Sequence, residues 1–497
     1  MRQLTDLVDT DSQNKKFYLD QHGCAKNQVD GEILVTRLEN IGYIKTDEPS
    51  HADFIIINSC GFISSAKEES LNAVIDAKKS YPNAKILLAG CLAERYASVL
   101  EKELSEADGF FGNGDLSKID GTVKSLLDGG RPVVVPPQTG VCCGDRNTLL
   151  SFKGSAYVKI TEGCDNRCTF CAIPIIRGGL RSRKAEDIVQ EIKSLIKKGV
   201  HEINLIGQDL AAFGAGKSDD VFDDGTNTYS KLFETLREPL IETCGEKSSE
   251  EKSCLARLLE EISKIEGDFW VRLLYIHPDH FDSDILDVMK KDSRFLPYFD
   301  IPFQSGDDKI IRAMNRKGSF DSYKKLVGTI RSYFPESCIR TTFLTGFPGE
   351  TDDAAERTRK FLETIESDWS GCFEYSCEEG TPAEKMKGKV QPKTAKQRAD
   401  SLNEIQSRIT QKRLSDRTGK IYDVLIEEII ENKEGTDEGL AIGRAWFEAP
   451  EVDGSFVVRY DLDNPDEVAA VVPGKMVKAK AVASSQVDID GVLCESR

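Results

Sequence analysis

The stretch AYVKITEGCDNRCTFC, residues 156–171, sets the organisation of this chain. It starts as a short apolar run typical of a buried β-strand and ends with three thiols, Cys164, Cys168 and Cys171. Structural zinc sites and cube-shaped iron–sulfur clusters usually take four protein ligands, but no fourth cysteine or histidine follows closely in the sequence. A zinc knuckle is the less favoured alternative, and the spacing indicates a metal centre that keeps one coordination position open.

Apolar runs alternate with helix-period segments on both sides of this motif. Upstream, FYLD, DFIIIN and AKILLAG are each followed by a helical pattern, which predicts a doubly wound parallel α/β domain over residues 15–140. Downstream, six strand–helix units predict a partial (β/α)6 barrel over residues 150–413. Alternating, Gly-rich segments predict a small antiparallel β-barrel over residues 416–490. The expected fold class is multidomain α/β, with the polar residues 214–253 as a loop insertion.

A second set of three cysteines lies in the first domain. Cys24, Cys60 and Cys91 each follow the end of a predicted parallel strand. Ligands bind at that edge of a doubly wound sheet, and neighbouring strand ends are close enough for three side chains to converge. Three buried structural thiols are the alternative. Their placement at three successive strand ends favours a second metal centre with an open position.

Composition limits the classes of function. The 497 residues carry a formal net charge of −18, which disfavours binding to a nucleic-acid backbone. The polar N-terminus has no apolar leader segment and no apolar run is long enough to span a bilayer, so we expect a cytoplasmic protein without membrane association. In that compartment the 14 cysteines are expected to stay free of disulfides, which leaves thiols available for metals or catalysis.

The spacing C-x3-C-x2-C after the first strand of a predicted βα barrel resembles the radical S-adenosylmethionine (SAM) superfamily. The resemblance implies a [4Fe–4S] cluster whose fourth iron is chelated by SAM, with the catalytic thiolates of Cys164, Cys168 and Cys171 as its ligands. It also implies that Phe170 lies near the adenine of SAM. An ordinary core aromatic is the alternative for Phe170.

Two further residues are candidates for binding the cofactor. Arg177, in the basic segment RGGLRSR, is placed to bind the carboxylate of SAM or of a substrate, and pairing with acidic residues of the protein is the alternative. Gly346, in TGFPGE, would let the backbone approach a ligand closely, or would only make a turn.

Nearly the whole chain resembles the methylthiotransferases. The similar blocks are GCAKNQVDGE, CAIPIIRGGLRSR, LIGQDLAAFG, YFDIPFQ, RTTFLTGFPGE and EAPEVDG. The first block is similar to the branch that modifies an aspartate of ribosomal protein S12, whereas the tRNA-modifying branch tends to have GCQMN there. One departure is visible at Ser305, where the family commonly has His, which puts any role carried over to this position in doubt.

This resemblance implies two [4Fe–4S] clusters, the second on Cys24, Cys60 and Cys91, and two uses of SAM. One SAM would methylate a sulfur species at the second cluster, and the other would supply the radical that takes hydrogen from the aspartate β-carbon. Ribosomal protein S12 would be the substrate and a flavodoxin or ferredoxin the electron donor, with the sulfur donor unassigned. One alternative is a tRNA methylthiotransferase, which would differ from this prediction in its substrate only. The other is a protein of a different class, a non-catalytic scaffold that holds an iron–sulfur cluster or zinc.

Charge at the C-terminus supports a protein substrate. Residues 421–497, which resemble the TRAM domain, contain 7 Lys and Arg against 17 Asp and Glu. Such a surface repels a phosphate backbone and attracts a basic protein, although acidic residues are also common on any solvated face.

Overall fold

The computed structural model describes residues 14–144, 146–216, 221, 252–431, 435 and 437–494. Most of the segment predicted as an insertion, residues 214–253, lies outside the described residues. Within the described part of the chain, no helix is long and apolar enough to cross a membrane.

The N-terminal domain is a parallel sheet with helices on both faces. Its strands are β1 (Lys16–Gln21), β2 (Ile44–Lys45), β3 (Phe54–Ser59), β4 (Lys85–Gly90), β5 (Gly109–Phe111) and β6 (Val133–Val134). All pairings are parallel, in the order β2-β1-β3-β4-β5-β6. Its helices are α1 (Ala25–Asn40), α2 (Ser64–Ser80), α3 (Cys91–Glu103) and α4 (Ile119–Leu127).

Side-chain alternation along these strands separates two cores. Ile56 of β3 packs in the core that contains Val29 of α1 and Val123 of α4. The next residue, Ile57, packs in the core that contains Val74 of α2 together with residues of α3. Since successive side chains of a strand point to opposite faces, helices cover both sides of the sheet, which confirms the predicted doubly wound domain.

Six further parallel strands form an open sheet in the middle of the chain. The strands of this part are β7 (Ser155–Lys159), β8 (Thr161–Glu162), β9 (Arg181–Ser182), β10 (Glu202–Ile206), β11 (Trp270–Leu273), β12 (Phe295–Asp300), β13 (Cys338–Thr345) and β14 (Trp369–Glu374). The sheet runs in the order β14-β13-β12-β11-β10-β7, and β8 pairs separately with β9. The outer strands β7 and β14 are not paired with each other, so the predicted partial barrel is confirmed.

Helices surround this central sheet. They are α5 (Ile173–Ile176), α6 (Ala185–Lys197), α7 (Cys254–Ser263), α8 (Asp284–Met289), α9 (Asp308–Ala313), α10 (Phe320–Tyr333), α11 (Asp352–Ile365) and α12 (Pro392–Ser415). Apolar faces of these helices and of the strands share one continuous core. The carboxyl ends of the strands, where sites form in βα barrels, carry the loop that begins after β8.

The C-terminal part is a closed five-stranded barrel. Its strands are β15 (Ile421–Ile430), β16 (Glu438–Arg444), β17 (Phe456–Asp461), β18 (Met476–Ser484) and β19 (Ile489–Leu493), with one short helix, α13 (Pro465–Ala470). The ring closes in the order β15-β16-β17-β19-β18. The predicted barrel is confirmed, with one correction: β17 and β19 are parallel. Strand directions can alternate around a closed ring only when the strand number is even, so five strands require a parallel pair.

The C-terminal barrel packs against the amino-terminal ends of the central strands. Arg444 donates to both carboxylate oxygens of Glu202, the first residue of β10, at 2.6 and 3.1 Å. Arg272 donates to the same buried carboxylate at 2.9 Å. Trp369, the first residue of β14, donates its Nε1 hydrogen to the carbonyl oxygen of Phe447 at 2.9 Å. The carboxyl ends of the strands therefore remain available to the N-terminal domain.

The buried carboxyl of Glu448 makes the stability of this interface depend on pH. Burial raises the pKa of Glu448 from 4.5 to about 8, although the amide of Ala445 donates to the carboxyl. Between these pH values the folded chain keeps a proton that the unfolded chain has released. The free energy of unfolding should therefore fall as pH rises through this window, by up to about 1.4 kcal/mol per pH unit.

Glu448→Gln should remove this contribution, because an amide resembles the protonated acid. Urea denaturation near pH 5 and near pH 8 measures the slope. The matched control is Glu428→Gln on the exposed side of β15, which should keep the slope of the wild type. Equal slopes for wild type and Glu448→Gln would contradict the expectation.

Candidate active site

The structure brings Cys24, Cys60 and Cys91 together at the carboxyl edge of the N-terminal sheet. Cys60 follows β3 directly and Cys91 follows β4, while Cys24 lies three residues past β1. Strands β1, β3 and β4 are neighbours in the sheet. A Cβ built on Gly23 would lie 3.1 Å from the Cβ of Cys60, and one on Gly61 would lie 2.6 Å from the carbonyl oxygen of Cys91. The two glycines therefore allow the three loops to touch.

Two of these three thiols lie at the start of a helix. Cys24 is the N-cap of α1 and Cys91 is the first residue of α3, so both lie at the positive end of a helix dipole, which favours a thiolate. Cys60 lies four residues before α2, whose first residue is Ser64. Of the three thiols, Cys24 and Cys91 therefore lie directly at a helix start, and Cys60 does not.

Polar side chains surround the Cys91 sulfur. The Arg177 guanidinium donates to the Cys91 Sγ at 3.2 Å, and the Asn113 amide donates to it at 3.3 Å. Burial raises the pKa of Cys91, and Arg177 opposes that effect. Burial and the neighbouring Cys91 raise the pKa of Cys60 to about 12.

Cys24 differs from its two neighbours. It is exposed to solvent, and although the protein atoms crowded around it raise its pKa, the cations Lys26 and Arg177 outweigh this effect and hold the pKa below its ordinary value. A thiol that solvent can reach, but that protein atoms surround, lies in a recess of the surface. One of the three sulfurs is therefore set for early ionisation and faces that recess.

The second thiol set occupies a loop that a small sheet closes at its base. Strands β8 and β9 pair on either side of this loop, and the amide of Cys164 donates to the carbonyl of Gly178 at 3.1 Å. The amide of Cys171 donates to the carbonyl of Cys168 at 3.0 Å. The loop is also fixed from outside, because the Asn315 amide donates to the carbonyl of Asn166 at 3.2 Å.

An arginine also accompanies this second set. Arg316 is buried, and its positive charge lies close enough to the sulfur of Cys168 for the two to attract each other. Burial and the neighbouring Cys168 raise the pKa of Cys171 to about 12, with Arg316 opposing. Burial and the nearby Asp209 carboxylate raise the pKa of Cys164 further still. Each thiol set thus has one buried guanidinium that attracts one of its sulfurs.

Asp209 anchors the second loop through a polar cluster at the carboxyl end of β10. Its carboxylate accepts from Asn166 at 3.0 Å and from His280 at 2.6 Å. His277 stacks on His280 with ring centroids 4.9 Å apart, and its buried Nε2 has no hydrogen-bond partner among the described residues. Since Asn166 lies between Cys164 and Cys168, Asp209 helps to set the shape of the thiol loop.

A buried network of charges joins the two sites. Lys159, at the end of β7, contacts Asp30 of α1 at 2.5 Å and Glu162 of β8 at 2.6 Å. Arg177 contacts the same two carboxylates, Asp30 at 3.0 Å and Glu162 at 2.8 Å. The four side chains are at most 7% exposed. Through Arg177, this network also reaches the sulfur of Cys91.

Lys26 lies in the same region but outside this network. Its Nζ is 3.1 Å from the ring centroid of Tyr275, and the residue is 8% exposed. Burial lowers the pKa of Lys26 to about 8, and Cys24 and Asp300 oppose that effect. Tyr275 and Asp300 both lie at the carboxyl edge of the central sheet, so Lys26 reaches from one domain to the reactive edge of the next.

The other sequence-based candidates occupy varied places. Phe170 packs on Phe347 with ring centroids 6.5 Å apart, in the turn that starts at Gly346. Gly346 has φ +76°, a Cβ there would lie 2.4 Å from the Cβ of Ala395, and its amide donates to Glu350 at 2.6 Å. Ser305 is buried, and its hydroxyl accepts from the amide of Asp307 at 3.1 Å.

Sequence patterns did not single out several residues of these sites. The residues are Lys26, Asp30, Asn113, Glu162 and Arg316. Charged residues in helices and turns ordinarily face solvent, and most contacts made by these side chains join parts of the chain that are distant in sequence. Only the thiol spacing and the strand ends gave a local signal.

Family models match three separate parts of the chain. Residues 16–112 match the model described as "Uncharacterized protein family UPF0004", residues 158–362 match the radical SAM superfamily, and residues 418–494 match the TRAM domain. The "Ribosomal protein uS12 methylthiotransferase RimO" of Treponema denticola is 50% identical over 95% of this chain and 100% of that protein. The protein of the same name from Thermotoga maritima is 36% identical over 88% of this chain and 92% of its own length.

The chain belongs to the RimO family of radical SAM methylthiotransferases.

Among solved structures, a radical SAM methyltransferase, TsrM of Kitasatospora setae, has the same overall fold as this RimO-family chain. The TM-score is 0.51 at 12% identity, with 75% of this chain and 77% of that chain covered. At that identity the likeness concerns the fold alone.

The donor sets of this RimO-family chain fit the cofactors of radical SAM enzymes. All six thiols are free, and three thiolates with one open position suit a [4Fe–4S] cluster that binds a further ligand. Beside the loop of Cys164, Gln208 and His277 each carry a buried polar atom without a hydrogen-bond partner among the described residues. Buried polar groups are ordinarily satisfied, so a polar ligand such as SAM matches this edge of the sheet.

Arg177→Leu is expected to destabilise the fold, because Lys159 alone would then face two buried carboxylates. Loss of one partner from a buried ion pair costs about 3–5 kcal/mol. Urea denaturation of the metal-free protein gives the free energy of unfolding. The control is Arg359→Leu, since Arg359 pairs with the exposed carboxylate of Glu356 one turn away on α11 and its loss should cost about 1 kcal/mol or less. Similar losses for both variants would refute the importance of the buried network.

Proposed function

We propose that this RimO-family chain attaches a methylthio group to the β-carbon of an aspartate in ribosomal protein uS12. The observation that carries the proposal is the pair of three-thiol sites at the carboxyl edges of two parallel sheets, joined by one buried charge network. The names of the relatives and the match to the family blocks support the substrate. The excess of acidic residues in the C-terminal barrel also suits a basic ribosomal protein.

Two [4Fe–4S] clusters and SAM are the cofactors we propose. Cys164, Cys168 and Cys171 would hold the cluster that chelates SAM, and the other three thiols, Cys24, Cys60 and Cys91, would hold the second. When bound, these groups supply hydrogen abstraction from an unactivated carbon and the sulfur for transfer, which no amino-acid side chain can provide.

The side chains of this chain would orient and tune those groups. Arg177 donates to the sulfur of Cys91 and Arg316 attracts the sulfur of Cys168, which stabilises the thiolate form. Asp209 fixes the Cys164 loop through Asn166. We propose Phe170 and Gly346 as parts of the SAM pocket, since Phe170 lies in the thiol loop and packs on Phe347, the residue that follows Gly346.

The three units have separate tasks in this proposal. Residues 15–140 would carry the sulfur-donating site, residues 150–413 the radical-forming site, and residues 416–490 a docking surface for the substrate. An electron donor such as flavodoxin or ferredoxin would serve residues 150–413, because the reductive cleavage of SAM needs one electron at a time.

Replacing either thiol set should separate the two activities. With Cys24, Cys60 and Cys91 changed to Ala, anaerobic reconstitution should give about four irons instead of about eight, with SAM still cleaved to deoxyadenosine but no methylthio transfer. With Cys164, Cys168 and Cys171 changed to Ala, the iron content should again be about half, with no deoxyadenosine. A full iron content in either triple variant would contradict the assignment of six ligands.

Mass spectrometry of uS12 from cells with and without the gene tests the substrate. The expected result is loss of the methylthio mass from a single aspartate in the deletion strain, with its return on complementation. Unchanged uS12 together with loss of a methylthio group from tRNA would overturn the proposed substrate.

A further inference from the structure

Lys26 is a buried cation that contacts no carboxylate. Its Nζ lies over the ring of Tyr275, and more than nine-tenths of the residue is buried. Within the described part of the chain, no Asp or Glu oxygen lies within 4.0 Å of this nitrogen; the neighbouring Lys159, by contrast, contacts two carboxylates. A buried charge is costly unless it is paired, so this position is suited to receive an anion.

The carboxylates nearest to Lys26 are already engaged. Asp30 and Glu162 each contact both Lys159 and Arg177. Asp300 attracts Lys26, but it accepts from the amide of Tyr275 at 3.2 Å and lies 4.0 Å from Arg340. None of these groups can neutralise Lys26 without leaving a present partner.

The position of Lys26 places it between the two thiol sites. It is two residues from Cys24 at the start of α1, and it projects onto Tyr275 and Asp300 at the carboxyl edge of the central sheet. The Cys164 loop lies on that same edge. A ligand bound by Lys26 is therefore held where both sites can reach it. Tyr275, whose ring lies under the Lys26 nitrogen, has a left-handed backbone conformation with φ +68°.

We propose that Lys26 binds the side-chain carboxylate of the target aspartate and makes this enzyme selective for an acidic residue. The inference rests on the proposed function, because it specifies how that substrate is held. A carboxylate fits an ammonium that is attracted by the Cys24 thiol but contacts no carboxylate of the described residues, and its β-carbon is the atom next to the bound group.

The carboxylate of SAM is the other anion that the Lys26 ammonium would fit. In the proposed function it is bound by the cluster of Cys164, Cys168 and Cys171, whereas Lys26 adjoins Cys24. The test therefore measures the affinity for SAM as well as the affinity for the substrate side chain.

The test compares two synthetic uS12 peptides, one with the target aspartate and one with asparagine at that position. Fluorescence anisotropy with the anaerobically reconstituted enzyme gives their dissociation constants. The wild type should bind the aspartate peptide roughly tenfold to a hundredfold more tightly, the range expected for a hydrogen bond between charged groups. Lys26→Met, which keeps the length and removes the charge, should reduce this ratio to about one. Lys26→Arg should keep a preference for aspartate.

The matched control is Lys85→Met at the amino end of β4, on the opposite edge of the same sheet. It should keep the wild-type ratio, and iron content and thermal melting show whether each variant has folded. An unchanged ratio in folded Lys26→Met would overturn the inference, and so would a loss of SAM affinity with the peptide ratio intact. If Lys26→Met fails to fold, the ratio in Lys26→Arg decides, and loss of the preference there refutes the inference. A wild type that does not modify uS12 in cells would instead refute the proposed function.

Discussion

Four buried charged side chains fix the position of helix α1 relative to the central sheet. Lys159 and Arg177 each contact both Asp30 of α1 and Glu162 of β8. A buried charge that loses its partner costs several kcal/mol, so α1 cannot slide along the central sheet without breaking several pairs together. Apolar packing tolerates small shifts better than these fixed pairings do. Since Arg177 also donates to Cys91, the distance between the two sites is set by the same network.

Helix α1 is the element that this constraint positions. Cys24 caps its start, and Lys26 and Asp30 are four residues apart, which places them on one face. That face carries a cation and an anion towards the central sheet, and the two differ in their partners. Asp30 is committed to the network and Lys26 is not. The helix is buried around most of its circumference, which is why its polar residues have defined partners.

Local patterns in the sequence predicted the architecture and both thiol sets, because strand periodicity and cysteine spacing are properties of short segments. The contacts that organise the site were not predictable in the same way. KNQVDGE resembles the charged face of a solvated helix, and only the packing of α1 on β7 shows that Lys26, Asp30 and Glu32 are buried. Arg177 was noted as a cofactor ligand or an ion-pair partner, and the structure places it on two carboxylates. The parallel pair β17–β19 was missed because alternation along a strand does not give the order of strands around a ring.

The position of the C-terminal barrel constrains how a substrate is held. Its contacts fall on the first residues of central strands, such as Glu202 and Trp369, whereas both thiol sets lie past the carboxyl ends. Strand β10 contains five residues, which separates these two ends by about 16 Å. A substrate that touches the acidic barrel and also reacts at the thiol edge must span at least this distance. A basic protein with a projecting loop can do so, whereas a free amino acid cannot. In the proposed function, recognition by charge and reaction at one side chain are therefore separated along the length of the sheet.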